Sequence, residues 1–176
     1  MRLYCTGEAR IEVETPSRRP PGAQGVVSGD LSTIAGTRTV ADEVNELGRF
    51  EAVIHNAGVG YREGRVETES GVPRVFAVNV LAPYILSALI ERPKRLVYVS
   101  SGMHRGVRRR MDDLLWTKRS WSGSSAYAES KLCDVLPAFA VARRWEEVSV
   151  VGRMLSLGDR KLFIDSADLR SALDTR

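Results

Sequence analysis

The feature that most constrains this fold is an alternation of two periods. Short apolar runs of strand length, residues 52–54 in "EAVIHNAG" and 95–100 in "RLVYVSS", are separated by longer segments whose apolar residues recur three and four apart. Strands linked through helices run parallel, because a parallel pair needs a crossover connection rather than a tight turn. "GVVSGDL", residues 25–31, reads as the first strand, and "VSVV" after Trp145 as one more. The unbroken apolar run at 52–54 fits a strand covered on both faces. Between the strands, "TIAGTRTVADEVNELG" lines up Ile34, Val40, Val44 and Leu47 on one face and stops at Gly48. "VPRVFAVNVLAPYILSALIE" carries Val72, Val75, Phe76, Ala82, Leu86, Leu89 and Ile90 at helical spacing, with Pro83 expected to kink it. A last long helix spans 124–145, capped by Ser124 or Ser125 and bent by Pro137.

Both ends are poorer in pattern. Residues 1–24 include "TPSRRPPGAQG" and hold no convincing apolar period, while "DSADLRSALD" reads as a short terminal helix capped by Asp165 or Ser166. A chain of 176 residues with 43% hydrophobic and 27% charged residues suits one soluble globular domain, 1–176. No apolar run reaches the roughly 20 residues that cross a bilayer, and the start lacks an apolar leader, so neither membrane nor secretion is expected. Cys5 and Cys133 have no CxxC partner and fit a reducing cytoplasm; with only His55 and His104 besides, no metal site is expected. Arg105, Arg108, Arg109 and Arg110 cluster in "HRGVRRRM". No nucleic-acid motif accompanies them, and a solvated loop is the plainer reading, so no nucleic-acid partner is expected.

Chemistry enters with "SSAYAESKL". Tyr127 and Lys131 stand four apart on a helix and share one face. A free phenol titrates near 10, but an adjacent ammonium favours its phenolate, which makes a tyrosine usable for proton transfer at an oxygen. An ordinary half-exposed helix face would show the same spacing. The neighbours tilt the balance. Ser100 and Ser101 end a buried strand, at the edge where parallel sheets place ligand sites. Asn79 interrupts an apolar helix face, where a buried amide must find partners. "HNAGVGYREG" is a near miss of a dinucleotide fingerprint: Gly58 and Gly60 fit, but Glu63 stands where glycine belongs and Gly64 comes one late.

Read in order, "GDL", "NAG", "VNVLAPY", "YVSSG" and "YAESK" resemble the short-chain dehydrogenase/reductase family over about residues 25–145, and the long loop opening with "SSGMHRG" is similar to its retinol-dehydrogenase-like members. The resemblance implies an α/β fold built on a partial Rossmann-type, doubly wound parallel sheet. It implies NAD(P)-dependent hydride transfer between an alcohol and a carbonyl of a small-molecule substrate. Carried over by position, Tyr127 is the catalytic acid–base. Lys131 favours its phenolate and holds the nicotinamide ribose hydroxyls. Ser101 hydrogen-bonds the substrate oxygen, and Asn79 anchors a water of the proton relay. Asp30, with Leu31 beside it, meets the adenine amino group, while Asn56, Ala57 and Gly58 line the cofactor. The family's habit of pairing two long helices implies a homo-oligomer.

The ends depart from the family. Only 29 residues precede Asp30, and they contain "CTGEAR" instead of a TGxxxGxG turn, so the family's first two strands and its pyrophosphate cradle are expected to be missing. After Trp145, "VSVVGRMLSLGDRKLF" lacks the family's Pro-Gly turn. Divergent ends, 1–24 and 146–176, around a well-matched middle suggest a truncated or frame-shifted gene product, whose expected alternative role is a non-catalytic binding or interaction module.

Overall fold

A computed structural model gives the structure of residues 2–4, 27–62, 64–107, 110, 112–155 and 163–164. Five strands form one sheet in the order β1 (Arg2–Tyr4), β2 (Ala52–His55), β3 (Arg95–Ser101), β4 (Ser149–Leu155) and β5 (Phe163–Ile164). The first four run parallel, and β5 closes the far edge antiparallel to β4. The alternation of strand and helix periods thus yields the parallel α/β sheet it implies. β1 pairs Leu3 with Val53 and occupies the edge beside β2 that would otherwise lie open.

The expected strand at 25–31 does not form among its described residues. Residues 27–29 are irregular, and Asp30 makes only a bridge. The reason is local: Asp30 Oδ1 accepts the Ser32 N–H at 2.8 Å, turning the chain directly into a helix. That helix, α1 (Ile34–Glu46), is capped by Thr33, whose Oγ1 accepts the Gly36 N–H at 3.0 Å. It ends as expected near Gly48, which adopts a φ of 88°. Val40 and Val44 are buried, whereas Ile34 and Leu47 are exposed, so the buried stripe is narrower than the apolar pattern.

The segment read as one helix over 72–91 is three pieces: α2 (Arg74–Phe76), a π turn (Ala77–Leu81) and α3 (Ala82–Leu89). Pro83 has no N–H to give the Asn79 carbonyl, and the backbone widens where that bond would have formed. α1 and α3 are tied together by Asn45, which donates to Leu89 O at 2.9 Å and accepts from Glu91 N at 2.8 Å. The last long helix is also divided. α4 (Gly123–Cys133) and α5 (Val135–Arg144) meet at Asp134, three residues before Pro137. Its cap is Ser122, not Ser124 or Ser125: Ser122 Oγ accepts the Ser125 N–H.

One buried cluster joins Val40 and Val44 of α1, Val53 of β2, Leu86 of α3, Leu96 of β3, Ala138 and Ala142 of α5, and Val150 of β4. Burial of a side chain such as Leu86 contributes about 2 kcal/mol. The alanines of α5 let that helix lie close to the strands. Residues 1, 5–26 and 165–176 lie outside the described residues, and with them the expected terminal helix, "CTGEAR" and Cys5; Glu63, Arg108 and Arg109 do as well.

Candidate active site

β2 and β3 run parallel in register from Ala52 opposite Arg95 to His55 opposite Tyr98, so both end at one edge of the sheet. Beyond β2 the chain continues as Asn56, Ala57, Gly58 and Val59; β3 ends in Ser100 and Ser101. α4 passes the same edge and carries Tyr127 and Lys131 one turn apart. The π turn brings in Asn79.

Lys131 is the centre of this junction. Its Nζ donates to Val99 O at 2.9 Å and to Asp134 Oδ2 at 3.1 Å, and the residue is 5% exposed. Ser100 Oγ donates to the Lys131 carbonyl at 2.7 Å, pinning α4 to the end of β3. Asn79 locks the loop after β2 onto the helices. Its Oδ1 accepts the Val59 N–H at 2.7 Å, and its Nδ2 donates to Val59 O at 3.1 Å and Ser130 Oγ at 2.9 Å. Ser130 in turn donates to Tyr127 O at 2.7 Å. The side-chain amide is therefore fully engaged in protein hydrogen bonds. Gly58 completes the packing by having no side chain. A Cβ there would stand 3.3 Å from Asn79 Oδ1 and 3.6 Å from Lys131 Nζ.

Burial shapes the charges. Desolvation pushes the Asp134 carboxyl up to about 6, against the pull of the Lys131 ammonium, and its Oδ1 is buried without a hydrogen-bond partner. Burial, with Glu129 and Asp134 nearby, also pushes the Cys133 thiol up, leaving it a poor nucleophile.

The tyrosine side is aromatic. The half-buried Tyr127 ring lies 5.9 Å from that of Tyr61 and packs with the cluster of Val75, Trp116, Trp121 and Ala126. Arg119 fastens the loop between β3 and α4. Its guanidinium lies 3.6 Å over Trp116, donates to Glu129 Oε1 on α4 at 2.7 Å, and pairs with Asp113 at 3.2 Å. Ser101 caps a 3-10 turn, Gly102–Gly106, accepting the Met103 N–H.

The structure thus gathers Gly58, Asn79 and Lys131, with Ser101 and Tyr127 on adjoining ends of β3 and α4. Asn56 is exposed on the same loop, and Ala57 packs on the core. Asp30 spends one carboxylate oxygen on its own turn, and Leu31 is a core residue. Sequence reasoning missed Ser130, Asp134 and the Arg119–Glu129 pair. The visible signal for Asp134 is a lone acid inside "LCDVLPAFA", three residues after the lysine. Among the described residues, no group of three or more His, Cys, Asp or Glu could hold a metal ion, and no helix is long and apolar enough to cross a membrane.

Comparison with known proteins decides the family. The chain is 40% identical to the short-chain dehydrogenase chyC of Penicillium rubens over 151 residues, which is 84% of this chain and 58% of that protein. The chain belongs to the short-chain dehydrogenase/reductase family. It is also 31% identical to retinol dehydrogenase 14 of Mus musculus, over 88% of this chain and 49% of that protein, in keeping with the similarity read in the long loop. Among solved structures, a metagenomic short-chain oxidoreductase in complex with NADP superposes with a TM-score of 0.53 at 20% identity, covering 84% of this chain and 65% of that one. No family model matches. This short-chain dehydrogenase/reductase chain spans about three-fifths or less of the curated relatives just named.

Proposed function

We propose that the chain carries the hydride-transfer site of an NAD(P)-dependent oxidoreductase interconverting an alcohol and a carbonyl on a small molecule. The observation that carries this reading is the buried Lys131 ammonium, held at the C-terminal edge of a parallel sheet beside the bare Gly58 and one helical turn from Tyr127. That arrangement fits the ribose of a nicotinamide cofactor: an ammonium donor, an exposed loop of Asn56 and Gly58, and no Cβ in the way. When bound, the cofactor supplies the hydride.

The chain's own residues do the rest. Tyr127 gives its phenolic proton to the carbonyl oxygen in reduction and takes one from the hydroxyl in oxidation. Ser101 donates a hydrogen bond to the same oxygen and fixes its distance from Tyr127. Lys131 stabilises the phenolate that remains and donates to the ribose hydroxyls. Asn79 positions the Val59 loop and α4 through its side chain, so any relay water is served by its backbone carbonyl, which lacks the Pro83 donor. Asp30 and Leu31 meet the adenine end. Tyr61, Trp116 and Trp121 around Tyr127 favour an apolar or aromatic substrate body.

The free, buried Cys133 supports a reducing cytoplasm. Tyr84 and Leu136, exposed on α3 and α5, support pairing with a second copy. Tyr127→Phe tests the reading. Turnover of carbonyl substrates with NADPH or NADH should fall by about 10²- to 10⁴-fold with the fold intact. Retained turnover would refute the role of Tyr127.

A further inference from the structure

Lys131 owes its place to a residue that proton transfer does not use. Asp134 lies at the break between α4 and α5, 2% exposed, with one carboxylate oxygen on Lys131 Nζ and the other buried and unpartnered. Such a group is expensive to bury, and an isolated structural ion pair would satisfy both oxygens. The ammonium has three protons. Two go to Val99 O and Asp134 Oδ2, and Gly58, without a Cβ, leaves the space 3.6 Å from Nζ clear for the third.

We propose that Asp134 is a positioning residue for Lys131: its carboxylate clamps the ammonium against Val99 O so that the remaining proton is presented to a ribose hydroxyl while the charge is held on the Tyr127 side of the site. The role rests on the hydride-transfer reading above. The clamp works while Asp134 is ionised. The titratable groups it faces are Lys131 and the Cys133 thiol on its own helix and the Tyr98 hydroxyl on β3, of which only the Lys131 ammonium is a cation. Burial, opposed by that ammonium, places the titration of Asp134 near 6. As pH falls through that value the carboxyl takes up a proton, the charge partner of Lys131 disappears, and turnover should fall on the acidic side.

The test uses the full chain in two arms. In the first, carbon-13-labelled aspartate and lysine report the Asp134 carboxyl and the Lys131 side-chain methylene by NMR. Both signals in the wild type should inflect together near pH 6, and Lys131→Met should move the Asp134 inflection to higher pH. This arm needs neither cofactor nor turnover, so it stands even if the chain fails to use NAD(P)H, a result that would sink the hydride-transfer reading alone. In the second, pH profiles of kcat and KM are compared with those of Asp134→Asn. The variant should lose about tenfold in kcat/KM at pH 8 and no longer show the acidic fall of the wild type. An Asp134 inflection that ignores Lys131, or an Asp134→Asn profile with the wild-type acidic limb, would overturn the proposal. A variant that does not fold leaves the wild-type co-titration as the deciding result.

Discussion

Two buried polar clusters meet neighbouring residues of β3, one at Tyr98 and the other at the Val99 carbonyl, and are built on opposite rules. The first joins β2, α3 and β3 through His55, Ser87 and Tyr98. Ser87 Oγ donates its one proton to Pro83 O at 2.7 Å and accepts from Tyr98 OH at 2.7 Å and from His55 Nε2 at 3.0 Å. That pattern assigns the His55 proton to Nε2. Burial lowers His55 to about 4 and raises Tyr98, so at neutral pH the cluster holds no charge and its hydroxyls are matched. The second cluster, Lys131 and Asp134, is equally buried but holds an ion pair and leaves one oxygen unpartnered. Depth of burial does not distinguish the two clusters; the retained charge beside the bare Gly58 does.

The contrast breaks most sharply at Lys131. Lys131→Met should remove cofactor binding and also destabilise the fold by about 3–5 kcal/mol at pH 7, because it strands the Asp134 carboxylate. At pH 5, where Asp134 is protonated, the stability loss should be much smaller. Urea melts at the two pH values measure the difference, and an equal loss at both would show that the pair is not ionised.

Asp134→Asn should expose the opposition between the clusters. Asp134 titrates above its ordinary value, so acidification from pH 6 to 4 favours the folded state by about 2 kcal/mol. His55 titrates below its ordinary value, so the unfolded chain takes up its proton first and the same acidification costs about as much. These contributions cancel in the wild type. Without Asp134, stability should fall over this window by about 2 kcal/mol more than in the wild type, read as unfolding free energies at pH 6 and pH 4.

Ser87→Ala should cost about 2–3 kcal/mol by leaving the buried donors of His55 and Tyr98 unmatched. Turnover per folded molecule should not change, and a lost turnover would mean that the two clusters communicate. The smallest effect belongs to Gly58→Ala. Its Cβ would press on Asn79 Oδ1 at 3.3 Å, for about 1 kcal/mol of stability, while NADPH affinity drops because the opening beside Lys131 narrows. Thermal melts and cofactor titration of the same preparation separate those two readouts.

Much of this arrangement was legible in the sequence, and the exceptions have physical causes. β2 and β3 read directly, because buried parallel strands are short apolar runs. β1 did not: Arg2–Tyr4 joins the sheet by pairing with residues some fifty positions away, and three residues carry no period. The stretch 25–31 reads as a strand from Val26 and Val27, but over its described residues, 27–31, the Asp30 turn outcompetes it. Three cap-competent serines, Ser122, Ser124 and Ser125, cannot be ranked by residue type, since the entry path of the loop selects Ser122. At the site, Asn79, Ser101, Tyr127 and Lys131 are singled out by the family resemblance, through the order of its motifs along the chain. Ser130 and Asp134, which hold two of them in place, are single polar residues in an apolar stretch, and only the packing of α4 against β3 and the π turn reveals their partners.

The most direct test is binding of the cofactor to the full chain. NADPH and NADH are titrated while the fluorescence of Trp116 and Trp121, which pack with Tyr127, is followed. A hydride-transfer site predicts saturable quenching by at least one of the two, abolished in Lys131→Met. No response to either at millimolar concentration would contradict it.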